Sequence, residues 1–230
     1  MTATPRILLL GIGNLLWADE GFGVRVVEHL QKYYRFSEQV TVLDGGTQGV
    51  YLVDYVQNAD VLVVFDAVDY GLPPATLKIV EDADVPNFLG AKKMSLHQTG
   101  FQEVLAMAQM LGDYPERLLL IGVQPEELED YGGSLRPSVK ARIQPAIEVA
   151  LAYLAEFGVV ADRVEAPRDL ADPILDIQRY EQERPSPEQA CRLGDERIVL
   201  SNAFEVRPPQ ASEQPSLQVD VDYRGKYRCA

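Results

Sequence analysis

Leu8-Leu9-Leu10-Gly11-Ile12-Gly13-Asn14-Leu15-Leu16-Trp17-Ala18-Asp19-Glu20-Gly21 is the stretch from which the rest of the chain can be read. From Arg6 to Gly11 the run is continuously apolar and closes on glycine, the pattern of a strand buried on both faces. Residues 20–34 then read as a helix, with Gly23, Val26, Val27, Leu30 and Tyr34 on one stripe. His29 falls off that stripe and reads as a solvated helix residue. Asp19 reads as the N-cap rather than a ligand. A carboxylate, Glu20, is thereby set just beyond a buried strand and a glycine turn.

The same alternation continues outward. Val40 to Leu43 reads as a strand closed by Asp44-Gly45-Gly46, and Gly49 to Gln57 as a short helix. Asp60 to Phe65 is the clearest strand and stops at Asp66; Thr76 to Val80 is a shorter one after the Gly71-Leu72-Pro73-Pro74 turn. In Lys92-Lys93-Met94-Ser95-Leu96-His97-Gln98, Ser95 at N-cap and Gln98 at N3 form a capping box. Phe101, Val104, Leu105, Ala108 and Leu111 then give that helix its apolar face. Leu118 to Val123 is a further strand. A last helix runs through Ile143, Ile147 and Leu154, with Pro145 either kinking it or marking its first turn, and Gly158 as its stop. Strands alternating with helices predict an α/β three-layer sandwich, with a mainly parallel twisted sheet of about five strands covered on both faces.

That domain is expected over residues 1–160. Residues 161–230 change in texture: Pro, Glu, Gln and Arg dominate, with Pro185-Ser186-Pro187 and Pro208-Pro209. They read as an extended or partly disordered tail in which only Arg197 to Leu200 resembles a strand.

Bulk properties narrow the function classes. The 230 residues carry a net charge of -14. That sign argues against a nucleic-acid partner and against docking on anionic lipid. No apolar run is long enough to span a bilayer, and residues before the first strand are too few and polar for a signal peptide. Both cysteines, Cys191 and Cys229, lie in the tail. A disulfide framework is thus not expected, and a cytoplasmic location is.

In open α/β sheets, ligands bind beyond the carboxyl ends of the strands. Glu20 follows the first strand, Asp44 ends the second, Asp66 ends the third, and His97 opens the helix after the fourth. At the N2 position the helix dipole favours the neutral, metal-competent imidazole. Carboxylates plus an imidazole suit a borderline divalent ion such as zinc or nickel. The bland alternatives stand beside this: His97 as a capping residue, Glu20 as a helix-dipole partner, Asp44 as an ordinary turn acid. Gly11-Ile12-Gly13 begins like a dinucleotide fingerprint, but Leu16 takes the third glycine place, leaving a nucleotide- or flavin-binding module as a weak rival.

Five ordered strings carry a more specific signal. They are residues 11–25, Asp44-Gly45-Gly46-Thr47-Gln48-Gly49, Phe65-Asp66-Ala67-Val68-Asp69-Tyr70-Gly71, Lys93-Met94-Ser95-Leu96-His97-Gln98 and Asp130-Tyr131-Gly132-Gly133-Ser134-Leu135. Together, over residues 5–158, they resemble the nickel–iron hydrogenase maturation endopeptidases, closest to those serving membrane-bound uptake hydrogenases. The tail does not resemble the shorter members. The resemblance implies a three-layer fold and metal ligation by Glu20, Asp66 and His97. It also implies one cut that frees a C-terminal peptide from the hydrogenase large-subunit precursor. In this family the nickel is borne by the substrate, and zinc or another divalent ion could replace it. Asp44, close by but not a matched ligand, is the candidate general base. The expected partner is the precursor alone, with the protease a monomer. A non-catalytic nickel metallochaperone would use the same three ligands and leave the precursor uncut.

Overall fold

The computed structural model describes residues 4–89, 96–168, 176–184, 219–221 and 227–229, with 87–89, 96–99 and the last two segments by backbone alone. Five strands form the main sheet: β1 (Ile7–Ile12), β3 (Val40–Gly46), β4 (Val61–Ala67), β5 (Leu77–Glu81) and β6 (Arg117–Val123), in the order β3-β1-β4-β6-β5. The first four in that order are parallel; β5 alone runs antiparallel, against β6. β1, β4 and β6 are buried almost throughout, which explains their unbroken apolar sequences. The mainly parallel three-layer architecture is therefore the one expected.

Helices cover both faces. On one, α1 (Phe22–Tyr33) and α6 (Ile143–Ala155) close a core with Phe22, Val26, Phe65 and Ile147. On the other, α2 (Val53–Gln57), α3 (Asp84–Leu89) and α4 (Leu96–Leu111) close a second core with Leu10, Leu62, Phe101 and Leu120. Pro145 lies in the first turn of α6, where its missing N–H costs nothing, so the helix starts there instead of kinking. Gly158, at φ 72°, ends the turn that follows. The capping residue Ser95 lies outside the described residues, as does the strand expected at 197–200.

The chain leaves β1 through α1 for β3 on one side, then returns through α2 to β4 on the other. The carboxyl ends of β1 and β4 therefore flank the switch point of the sheet, where a crevice opens in doubly wound folds. Two glycines bring α1 down onto that point. A Cβ on Gly23 would sit 2.1 Å from the Phe65 carbonyl oxygen and 2.3 Å from that of Ile12; one on Gly11 would sit 2.3 Å from the Gly23 oxygen. Only bare backbone fits in either place.

Three features depart from the sequence reading. First, the compact unit does not stop near residue 160. It runs to Arg184, through a short pairing of β2 (Tyr34–Arg35) with β7 (Asp162–Arg163) and a further helix, α7 (Ile177–Glu183). Second, His29 is half-buried rather than solvated: its ring lies 4.5 Å from that of Tyr33 and its Nε2 is buried. Burial, together with the nearby charge of Arg163, lowers its pKa. Third, the stripe expected from Glu20 starts as a separate 3-10 turn, Ala18–Gly21, before α1 proper. Between β6 and α6 the chain also forms α5 (Pro137–Lys140), opened by Pro137. Residues 185–230 make a unit of their own, in which β8 (Val219–Val221) pairs antiparallel with β9 (Tyr227–Cys229).

Candidate metal and catalytic site

Glu20 sits in the 3-10 turn that joins β1 to α1, and that turn packs against β4. The local sequence dictates the turn. Asn14 accepts the Leu16 amide on its side-chain oxygen at 3.0 Å, an Asx turn, and its carbonyl accepts the Trp17 amide. The Glu20 amide in turn donates to the Trp17 carbonyl at 2.9 Å. Gly13, at φ 138°, lets the turn fold back: a Cβ there would lie 1.8 Å from the Glu20 carbonyl oxygen. Ala18 holds φ 42° while fully buried, a strained placement of the sort that clusters at functional sites.

Asp66 lies within β4, one residue before its end, and is buried. It accepts the Ala67 amide at 2.8 Å. Across the ladder it pairs with Gly122, and the Tyr70 hydroxyl occupies the space a Cβ on Gly122 would need, 2.8 Å away. Burial, reinforced by the Asp66 charge, pushes the Tyr70 phenol far above its ordinary pKa. Tyr70 was not singled out in the sequence. Its proximity to Asp66 depends on Gln124, whose side-chain oxygen accepts the Tyr70 and Leu72 amides and folds that loop back over β6.

Asp44 is part of β3 rather than beyond it. The register between β1 and β3 slips after the Gly11–Asp44 pair, leaving Gly45 as a bulge and Gly46 opposite Ile12. Asp44 is exposed and accepts the Gly46 amide at 2.9 Å. The surrounding protein still displaces enough water to raise its pKa, against the opposing pull of that hydrogen bond. His97 is the second residue of α4. One turn on, a Cβ on Gly100 would touch Gly49 at 3.7 Å, which sets the start of α4 beside the segment that leaves β3. The His97 side chain lies outside the described residues. Among the described residues no three His, Cys, Asp or Glu side chains gather to hold a metal, so Asp44 does not join Glu20 and Asp66 as a third ligand.

Asp19 is the largest correction at the rim. It does not cap a helix. Fully buried, it accepts the amides of Glu126 and Glu127 on one oxygen, both at 2.9 Å, and that of Arg136 on the other at 2.7 Å. The anchored 126–136 loop runs back along the Glu20 turn. Gly132 donates to the Leu16 carbonyl at 2.7 Å, and the Tyr131 ring meets Trp17 edge-on at 5.2 Å. The partners of Asp19 lie more than a hundred residues away in sequence, beyond any local pattern.

At this switch point a dinucleotide fold would offer a glycine cradle for phosphate. Here the Glu20 backbone fills the space over Gly13, and two acids precede α1 where an anion would have to bind. The fold and rim define a doubly wound α/β protein in which the Glu20 backbone takes the space a phosphate site would need. The chain belongs to the hydrogenase maturation protease family: the family model described as HycI, hydrogenase maturation protease, matches residues 24–153. It is 68% identical over 214 residues to the hydrogenase expression/formation protein HupD of Thiocapsa roseopersicina, covering 90% of this chain and 96% of that one. It is 45% identical over 165 residues to the hydrogenase 2 maturation protease of Escherichia coli, 71% of this chain and 99% of that protein. The solved structure of the hydrogenase maturating endopeptidase HybD from Escherichia coli superimposes with a TM-score of 0.65 at 43% identity, over 71% of this chain and 98% of that one. The chain is accordingly a peptidase.

Proposed function

We propose that this protease removes the C-terminal extension of the nickel-loaded precursor of a [NiFe]-hydrogenase large subunit, and that it reads the nickel through Glu20, Asp66 and His97. The observation that carries this reading is the placement of Glu20 and Asp66 on the two segments that flank the switch point, with the start of α4 on the same rim. Two carboxylates and one imidazole leave coordination positions open. Such a set holds free metal weakly and gains affinity when a precursor brings both the ion and its remaining ligands. Docking is thereby linked to nickel insertion, and zinc or another divalent ion could substitute. The precursor-borne ion would polarise the scissile carbonyl.

The chain's own groups then carry the proton. Water adds to the carbonyl carbon as its proton passes to Asp44, whose raised pKa suits a general base. The C–N bond breaks as that proton is delivered to the leaving nitrogen. Tyr70, buried beside Asp66, shapes the surroundings of that carboxylate. Exposed Leu16, Tyr51 and Tyr131 around the mouth offer apolar contact to an incoming polypeptide. With both cysteines outside the α/β unit, the enzyme needs no disulfide, which supports action in the cytoplasm.

A mass measurement on nickel-loaded precursor mixed with the protein tests the proposal. The precursor should lose its C-terminal peptide with wild-type protein. Glu20→Gln, Asp66→Asn and His97→Ala should each abolish the cut while melting near the wild-type temperature. Asp44→Asn should slow single-turnover cleavage by roughly 10²–10⁴-fold. An intact precursor bound tightly to wild-type protein would instead establish a metallochaperone.

A further inference from the structure

α7 has only seven residues, too few to persist in water on helix propensity alone. Its stability must come from what it touches: Lys140 of α5 and two elements that lead toward Glu20. The first is α1, which begins two residues after Glu20. Ile177 donates its amide to Glu28 at 3.1 Å, and Asp176 pairs with Lys32. Beneath them Glu28 is held in a buried 2.6 Å ion pair with Arg25, whose guanidinium lies 5.5 Å from the centre of the Tyr180 ring. The second is the 132–134 loop. Glu181 accepts the Ser134 hydroxyl at 2.8 Å and the Lys140 ammonium at 2.7 Å. The Tyr180 hydroxyl donates to the Gly133 carbonyl, and Arg184 to that of Gly132, each at 3.4 Å.

That loop is tied by the Gly133 amide to the Asp130 carbonyl at 2.9 Å and by the Asp130–Arg136 ion pair at 3.0 Å, and α7 adds to those ties at its diglycine. Gly132 is at φ 74°, and two adjacent glycines give the backbone wide freedom. Yet the Gly132 amide supports the Leu16 carbonyl, Gly133 bridges to Trp17, and the Trp17 carbonyl takes the Glu20 amide. A continuous hydrogen-bonded path therefore runs from α7 through the diglycine to the Glu20 turn. α7 lies outside residues 24–153, the span that the family model matches.

We propose that α7 is a strap that positions the Glu20 turn, with Tyr180 and Glu181 as its positioning residues. It grips α1 on one side of Glu20 and the diglycine loop on the other. Burial pushes the Glu181 carboxyl up, but hydrogen bonds from Lys140 and Ser134 outweigh that and hold it below its ordinary pKa, so the clasp stays charged at neutral pH. The value of the strap to catalysis rests on the reading of Glu20 as a nickel ligand; its effect on the turn does not.

The test uses the full chain carrying Tyr180→Ala and Glu181→Ala together, read by amide hydrogen exchange and by cleavage of nickel-loaded precursor. Exchange at Gly132 and Glu20 should quicken by about 10-fold or more as the local opening becomes easier. Cleavage should lose about 10-fold in kcat with KM little changed, as expected for a misplaced rather than missing group. Glu181→Gln, which keeps an acceptor for Ser134 and Lys140, should restore most of the exchange protection. If the double variant does not fold, Tyr180→Phe, which removes only the bond to Gly133, is read by the same exchange. Unchanged protection at Gly132 and Glu20 overturns the strap. A Glu20→Gln enzyme that cuts at full rate overturns the ligand reading instead, and exchange alone then decides the strap.

Discussion

At the amino-terminal rim of the sheet, Asp60 accepts the Arg6 amide at 2.7 Å and the Nε and Nη2 of the same residue, while Asp82 takes the Leu118 amide and the Arg117 side chain. At the carboxyl rim, the acids face backbone amides: Asp19 takes three, Asp44 takes Gly46 and Asp66 takes Ala67. Both rims carry acids at strand ends, but one is neutralised by its own arginines. The other is oriented by backbone amides of its own rim. An arginine fork supplies opposite charge to its carboxylate, whereas an amide fixes the carboxylate's direction through a hydrogen bond.

Perturbing the two rims should therefore have different consequences. The largest effect is expected from Gly23→Ala. Its Cβ would meet two carbonyl oxygens at 2.1 and 2.3 Å, so α1 must lift from β1 and β4 at the switch point itself. A loss of at least about 3 kcal/mol in urea unfolding, with cleavage lost in parallel, is expected. Full stability would show that the crevice is not set by that close approach. Asp19→Asn comes next. It turns a charged acceptor of three buried amides into a neutral one with a donor facing them, at a cost of about 2–4 kcal/mol by denaturant titration. Cleavage should fall even where the protein remains folded, since the 126–136 loop backs the Glu20 turn. The smallest effect is expected at the other rim. Arg6 holds the Asp60 carboxyl below the usual carboxylate range, first by its side-chain hydrogen bonds. The folded state thus prefers ionised Asp60, and this contribution is complete above about pH 4 and lost as pH falls through the lowered folded value. Asp60→Asn should lower the melting temperature slightly at pH 7, lose that difference at strongly acidic pH, and leave cleavage untouched. A change in cleavage would break the division between the rims.

Much of the carboxyl rim was legible in the chain. The apolar runs ending at Gly11 and Phe65 located two strands, and acids just past such runs fall where doubly wound sheets bind ligands. Gly13 was legible as a turn glycine, but its purpose was not: the space above it is taken by the Glu20 backbone, not by a phosphate. The role of Gly23 was hidden in the helical stripe, because a glycine among apolar residues looks like any small core position. Asp44 was read as the end of its strand because two glycines follow it, whereas the bulge carries the ladder on to Gly46. Tyr70 was invisible, since its place beside Asp66 is made by Gln124, more than fifty residues on.

By itself the sequence determined the elements and the residues that cluster at their ends, because burial and helical or strand periodicity act over a few neighbouring residues and leave a local trace. Only the tertiary structure decided that β5 turns antiparallel, that Asp19 ties down a loop over a hundred residues away, and that a seven-residue helix past residue 176 packs on α1 and the 132–134 loop. Those outcomes rest on hydrogen bonds and ion pairs between distant segments. Their partners are chosen by geometry after collapse, so neither end carries a pattern that announces the other.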